Sequence, residues 1–178
     1  MKKFLAKASL LATLVSVGTS AVEATTLTQP IKLNGLKIAI IKNAVGTDEI
    51  ISGDYSAGLS KIVATKKPEL SNYDKAMGVC VASLKLNELD KADSACTKAI
   101  DEISAIKGRG RHGEFLKSMA YSNRAIVRYL AKDNTGALED FTSALVVDNN
   151  SIVKDNILAL KRIQLTTDDA SFETSYAE

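Results

Sequence analysis

The sequence predicts an all-α fold, a short array of antiparallel helix hairpins, and three observations carry that prediction. Apolar residues recur at helical spacing: Ala137, Leu138, Phe141, Ala144 and Leu145 fall at i, i+1, i+4, i+7 and i+8, on one helix face. Small residues recur at a long period, Gly58 to Ala92 being 34 residues apart, the length of one stacked helix–turn–helix unit. Turn-forming runs separate the apolar stretches at Gly53-Asp54, Asn87-Glu88-Leu89-Asp90 and Lys132-Asp133-Asn134.

The chain opens Met1-Lys2-Lys3, runs apolar from Phe4 to Val17 with Lys7 the only charge, and leaves through Gly18-Thr19-Ser20 and Val22-Glu23-Ala24. A basic head, a short apolar core and a small-x-small exit form the pattern of a secretory signal peptide over residues 1–24, with cleavage after Ala24 or, as second choice, Ala21. The apolar stretch falls short of the roughly 20 residues of a membrane span, although an uncleaved anchor is the alternative. No cysteine follows it to carry a lipid. Cleavage would remove Lys2, Lys3, Lys7 and Glu23, so 23 basic and 21 acidic residues become 20 of each. A neutral mature chain has no global charge for nucleic acid, despite a whole-chain pI of about 8.4.

Residues 25–42 form an N-terminal extended segment before the helical domain of residues 43–165. Within the segment, Leu36-Lys37-Ile38-Ala39-Ile40-Ile41 is β-branched enough for a short strand. It can equally begin a first helix, and the residues leave both open. A weak hairpin follows, its first helix near Asn43 to Ser52 and its second carrying Tyr55, Gly58, Leu59 and Ile62. The middle hairpin has a first helix over Met77 to Leu86 and a second lined by Ala92, Cys96, Ala99, Ile100 and Ile103. The last hairpin opens with Tyr121-Ser122-Asn123-Arg124-Ala125 and closes with Gly136 to Leu145. Ala92 to Ala137 is 45 residues, an insertion of 11 placed by the glycines of Lys107-Gly108-Arg109-Gly110-Arg111-His112-Gly113, read as a loop between lengthened helices.

The last two hairpins resemble the tetratricopeptide-repeat (TPR) family. Ala125 matches the small site of the first helix, and Ala137, Phe141 and Ala144 match the A-x-x-x-F-x-x-A run of the second. The chain departs from the family at Arg128 and Ser83, where the first helix usually holds an aromatic, and at Asn149 and Ser104, where a proline usually closes the repeat. Ser151 to Gln164 reads as a capping helix in which Ile152, Ile157, Leu160 and Ile163 cover the last repeat. Residues 166–178 read as a disordered acidic tail.

In that register Cys80 and Cys96 face each other across the middle hairpin, so the resemblance implies a disulfide. An exported protein meets an oxidising compartment in which such a pair closes. Two buried free thiols are the alternative. The spacing is not that of a redox C-x-x-C pair, and two thiols with the distant His112 do not make a zinc site.

Catalysis is not expected. His112 has no patterned nucleophile or acid near it, and no phosphate-binding glycine loop is present. No cofactor or metal is expected either. The resemblance implies a concave groove that binds another protein or peptide, lined by Asp74, Met77, Val81 and Lys85 and by Met119, Ser122, Asn123, Ile126 and Tyr129. Asn123 matches one position of the carboxylate clamp found in some TPR proteins, but Met77 and Val81 occupy positions where the clamp needs a base and an amide. The expectation is therefore a periplasmic or secreted bacterial adaptor that binds a peptide or helix and keeps no stable membrane anchor. A self-associating homodimer, joined through the weak first hairpin or the Leu36–Ile41 strand, is the alternative, and an envelope enzyme comes third. The basic run Lys107, Arg109, Arg111 and His112 is either a solvated loop or a contact for an acidic partner.

Overall fold

The protein is described here from a computed structural model covering residues 33–66, 71–108 and 110–174, with side chains to Gln164. The stretch read as a signal peptide, the start of the extended segment, residues 67–70, Arg109 and the last four residues lie outside the described residues. Among those described, the fold is all-helical: α1 (Thr47–Ser52), α2 (Tyr55–Ala64), α3 (Asn72–Lys85), α4 (Leu89–Ala105), α5 (Gly110–Leu130), α6 (Asn134–Val147) and α7 (Ser151–Thr174). Each odd helix up to α5 pairs with its successor as a hairpin. The hairpins stack through α2 on α3 and α4 on α5, and α7 packs against α5 and α6.

The three hairpin turns share one chemistry. Gly53, Asn87 and Lys132 each adopt a positive φ, of 93°, 62° and 68°. The residue after each donates its N–H five residues back, Asp54 to Glu49, Glu88 to Ser83 and Asp133 to Arg128. This Schellman closure satisfies carbonyls that the helix end leaves open. Side-chain oxygens then start α2, α6 and α7: Asp54 accepts from Ala57 N–H, Asp133 from Gly136 N–H and Asn150 from Val153 N–H, while α4 begins at Glu88 without a side-chain cap.

Small residues set the stacking distance. Gly46 has φ 79°, and a Cβ there would sit 2.6 Å from the Gly58 carbonyl and 2.7 Å from Ile62 Cγ1. Gly46→Ala therefore meets both a left-handed backbone and a backbone clash. The expected loss is about 2 kcal/mol, measured by urea unfolding.

The insertion between the second and third hairpins lengthens helices more than it makes a loop. α4 and α5 reach 17 and 21 residues, and α5 starts at Gly110, so the second half of the run read as a loop is helical, with Gly113 buried. α7 likewise runs to Thr174, through most of the stretch read as a disordered tail. Two buried features lock the hairpins. Cys80 of α3 and Cys96 of α4 form a disulfide, both side chains fully buried and their Cα atoms 5.0 Å apart. Asp140 of α6 takes a bidentate pair of bonds from Arg124 of α5 (2.7 and 2.8 Å) and a third contact from Arg128 (3.1 Å). Arg124 and Arg128 continue to Thr97 and Asp93 of α4. Arg128 thus carries a charge shared by α4, α5 and α6. No helix among the described residues is long and apolar enough to cross a membrane.

Candidate functional site: a groove holding an extended chain

Helices α3, α5 and α7 and the first hairpin enclose a groove, and the chain's own residues 33–41 run through it. Leu36 to Ile41 form neither helix nor turn. Asn34 (φ 43°) and Gly35 (φ 88°) reverse the chain just before them, Leu36 N–H bonding to the Leu33 carbonyl. Neither local structure open for this stretch is adopted: it is extended without pairing as a strand, and the first helix begins at Thr47.

Two asparagines hold the segment by its main chain. Ala39 donates its N–H to Asn123 Oδ1 (2.9 Å) and accepts from Asn123 Nδ2 (2.8 Å). Two residues earlier, Lys37 donates to Asn156 Oδ1 (2.7 Å) and accepts from Asn156 Nδ2 (2.9 Å). A carboxamide carries one acceptor and one donor group side by side, matching the N–H and C=O that one residue of an extended chain turns to the same edge. Both asparagines are fully buried, and Asn156 also donates to the Ser122 hydroxyl. The grip is blind to side chains, because it reads only the backbone.

The side chains of the segment reach every layer of the core. Leu36, 7% exposed, joins Cys80, Leu84, Met119 and Ile126. Ile38 and Ile40 pack with Ile50, Ile62 and Val81. Ala39 and Ile41 pack with Tyr73, Met77 and Ile100. Lys37 points outward and its ammonium pairs with Asp155 at 2.7 Å, both side chains about half exposed.

The residues read from sequence as a binding surface are therefore brought together, but beneath this segment. Met77, Val81, Met119, Ser122, Asn123 and Ile126 are buried. Lys85 and Tyr129 are half-buried at the margin, with Lys85 Nζ 5.9 Å from the Tyr55 ring centre. The open groove expected from sequence is corrected: six largely apolar residues of the same chain cover it. Sequence reasoning missed Asn156, taking α7 only as an apolar cap. A polar residue between Ile152 and Leu160 at four-residue steps on the packed face was the available signal.

A cavity of about 550 Å³ adjoins the segment on its Ala39 side, lined mainly by Ile41, Phe115, Leu116, Met119 and Ile152, with Asp74, His112 and Lys42 also on its wall. Burial raises the Asp74 carboxyl above its ordinary range. A carboxyl raised on folding contributes stability that is present below its unfolded pKa and lost as pH climbs through the folded one. Asp74→Asn is expected to gain on the parent between about pH 3 and 7, in urea titrations at both pH values. A gap that does not widen contradicts the assignment. The described residues hold no cluster of His, Cys, Asp and Glu suited to a metal.

Comparisons with family models, with curated proteins and with solved structures give no match for this chain.

Proposed function

We propose that the protein is an exported, TPR-like interaction module whose concave groove holds an extended segment of a partner protein and which catalyses nothing. The observation that carries this reading is the pair of buried asparagines, Asn123 and Asn156, each spending its carboxamide on the main chain of an extended stretch. Neither residue serves its own helix, and a core needing only apolar closure has no use for two buried carboxamides. The hairpin register, with small residues where helices meet, supports the TPR likeness. The buried disulfide is compatible with an oxidising compartment, and so with the signal peptide read from residues 1–24.

A second reading, self-association, has one observation in its favour. Among the described residues, the peptide groups of Ile38 and Ile40 have no hydrogen-bond partner, and an extended chain turns them away from the asparagines. That edge is open to a strand of a second copy.

Photo-crosslinking in the native host's envelope separates the readings. The probe belongs at Phe115, 36% exposed on the cavity beside the segment, with a control at Val146, 82% exposed on α6. A discrete adduct to another protein at Phe115 and none at Val146 is expected. Adducts to a second copy alone favour self-association, and no adduct from the exported, folded protein removes the groove as a binding site.

A further inference from the structure

We infer that Leu33–Ile41 is an intramolecular stand-in for the partner's segment, and that the partner differs from it by a large apolar side chain where the stand-in has Ala39. The inference rests on the groove being a peptide site and names the ligand it takes.

An extended ligand fits and a helical one does not. A helix satisfies its own N–H and C=O groups internally, so a helix in the groove would leave Asn123 without a partner and Asn156 with Ser122 alone. Both are fully buried, where an unpaired amide is heavily disfavoured. For the same reason the groove is not stable empty, and a partner must exchange with the stand-in.

The stand-in is held, and solvent-facing clefts border it on several sides. Cavities of about 520, 550, 300 and 260 Å³ each have the segment as one wall. One edge of the segment, at Ile38 and Ile40, is unpartnered among the described residues. A turn with positive φ at Asn43 (62°) and Gly46 (79°) joins it to α1, so it is attached to the array without being part of a helix.

The largest of these spaces states what is missing. It opens beside Ala39 and is walled by Ile41, Phe115, Leu116, Met119 and Ile152, enough apolar surface to take a leucine or phenylalanine side chain. A tethered segment competes at an effective concentration in the millimolar range. An untethered chain overcomes that advantage only through contacts the tethered one lacks, and this cavity supplies them. Elsewhere the partner resembles the stand-in: a large apolar residue at the Leu36 position, which is buried with Met119 and Ile126, then a cation facing Asp155.

The test uses the full chain and two synthetic peptides, one with the sequence of residues 33–42 and one carrying the Ala39→Leu change. Fluorescence anisotropy is expected to show the leucine peptide binding at least about tenfold tighter, the effect of burying one such side chain. Hydrogen exchange at the chain's own Lys37 and Ala39 amides should accelerate as that peptide binds. In the converse experiment, Ala39→Leu in the chain itself is expected to raise Tm and abolish binding of either peptide. Equal or weaker binding of the leucine peptide overturns the inference, as does an Ala39→Leu chain that binds peptide as the parent does. A groove that crosslinks to another protein through Phe115 yet ignores both peptides keeps the interaction module and removes this account of its ligand.

Discussion

Asp140→Ala is expected to destabilise the fold by about 3–5 kcal/mol, the usual result of removing one partner from a buried ion pair. Asp140 is 3% exposed at its side chain and accepts from both Arg124 (13% exposed) and Arg128 (25%). Burial works against the charge of Arg124. Its hydrogen bonds to Asp140 and the nearby charges of Asp140 and Asp93 outweigh that and raise its pKa above the ordinary arginine value. Removing the carboxylate leaves a largely buried guanidinium with Thr97 as its hydrogen-bond partner and the Tyr121 ring 5.5 Å away, but no directly bonded anion. Urea unfolding of parent and variant measures the loss. The double change Arg124→Met, Asp140→Leu should recover most of it, because apolar residues of similar volume replace such pairs with little penalty. A loss under 1 kcal/mol would mean the network contributes no more than an exposed pair such as Lys37–Asp155.

Opening the disulfide has the next largest effect. Closing a loop with 16 residues of separation stabilises by about 3 kcal/mol in the chain-entropy model. Replacing both Cys80 and Cys96 by alanine should therefore cost about that much, plus a small packing loss at two fully buried sites. Reductant supplies the control. It should weaken the parent by a similar amount and leave the alanine variant unchanged. If reductant leaves the parent's unfolding midpoint where it was, the bond does not contribute to stability.

What the sequence made legible was whatever repeats or faces a neighbour in the next helix. Ala92, Ala137, Phe141 and Ala144 mark where helices touch, and all four are buried as the spacing requires. The Cys80–Cys96 pairing followed from the same register and is present. Asn123 stood out, but as one member of an incomplete carboxylate clamp; the groove uses it to hold a backbone instead. The grip itself was not legible. It joins Ala39 to Asn123 across 84 residues and Lys37 to Asn156 across 119, and each contact depends on a single polar residue within an apolar face. Periodicity assigns such a face to the core without saying what covers it. The Leu36–Ile41 stretch has strand-like composition but no strand partner among the described residues, so local propensity could not choose its conformation. Thr166 to Thr174 is polar and was read as tail, yet it continues α7; composition there carries no apolar period to announce a helix.

The central claim is that the groove holds an extended chain by its backbone, one edge gripped and the other open. Residue-resolved hydrogen exchange on the intact protein tests it most directly. The account predicts alternation: slow exchange at the Lys37 and Ala39 amides, bonded to buried Asn156 and Asn123, and fast exchange at Ile38 and Ile40 between them. Uniformly fast exchange from Lys37 to Ile40 would contradict it, because the segment would then not be held in the groove at all.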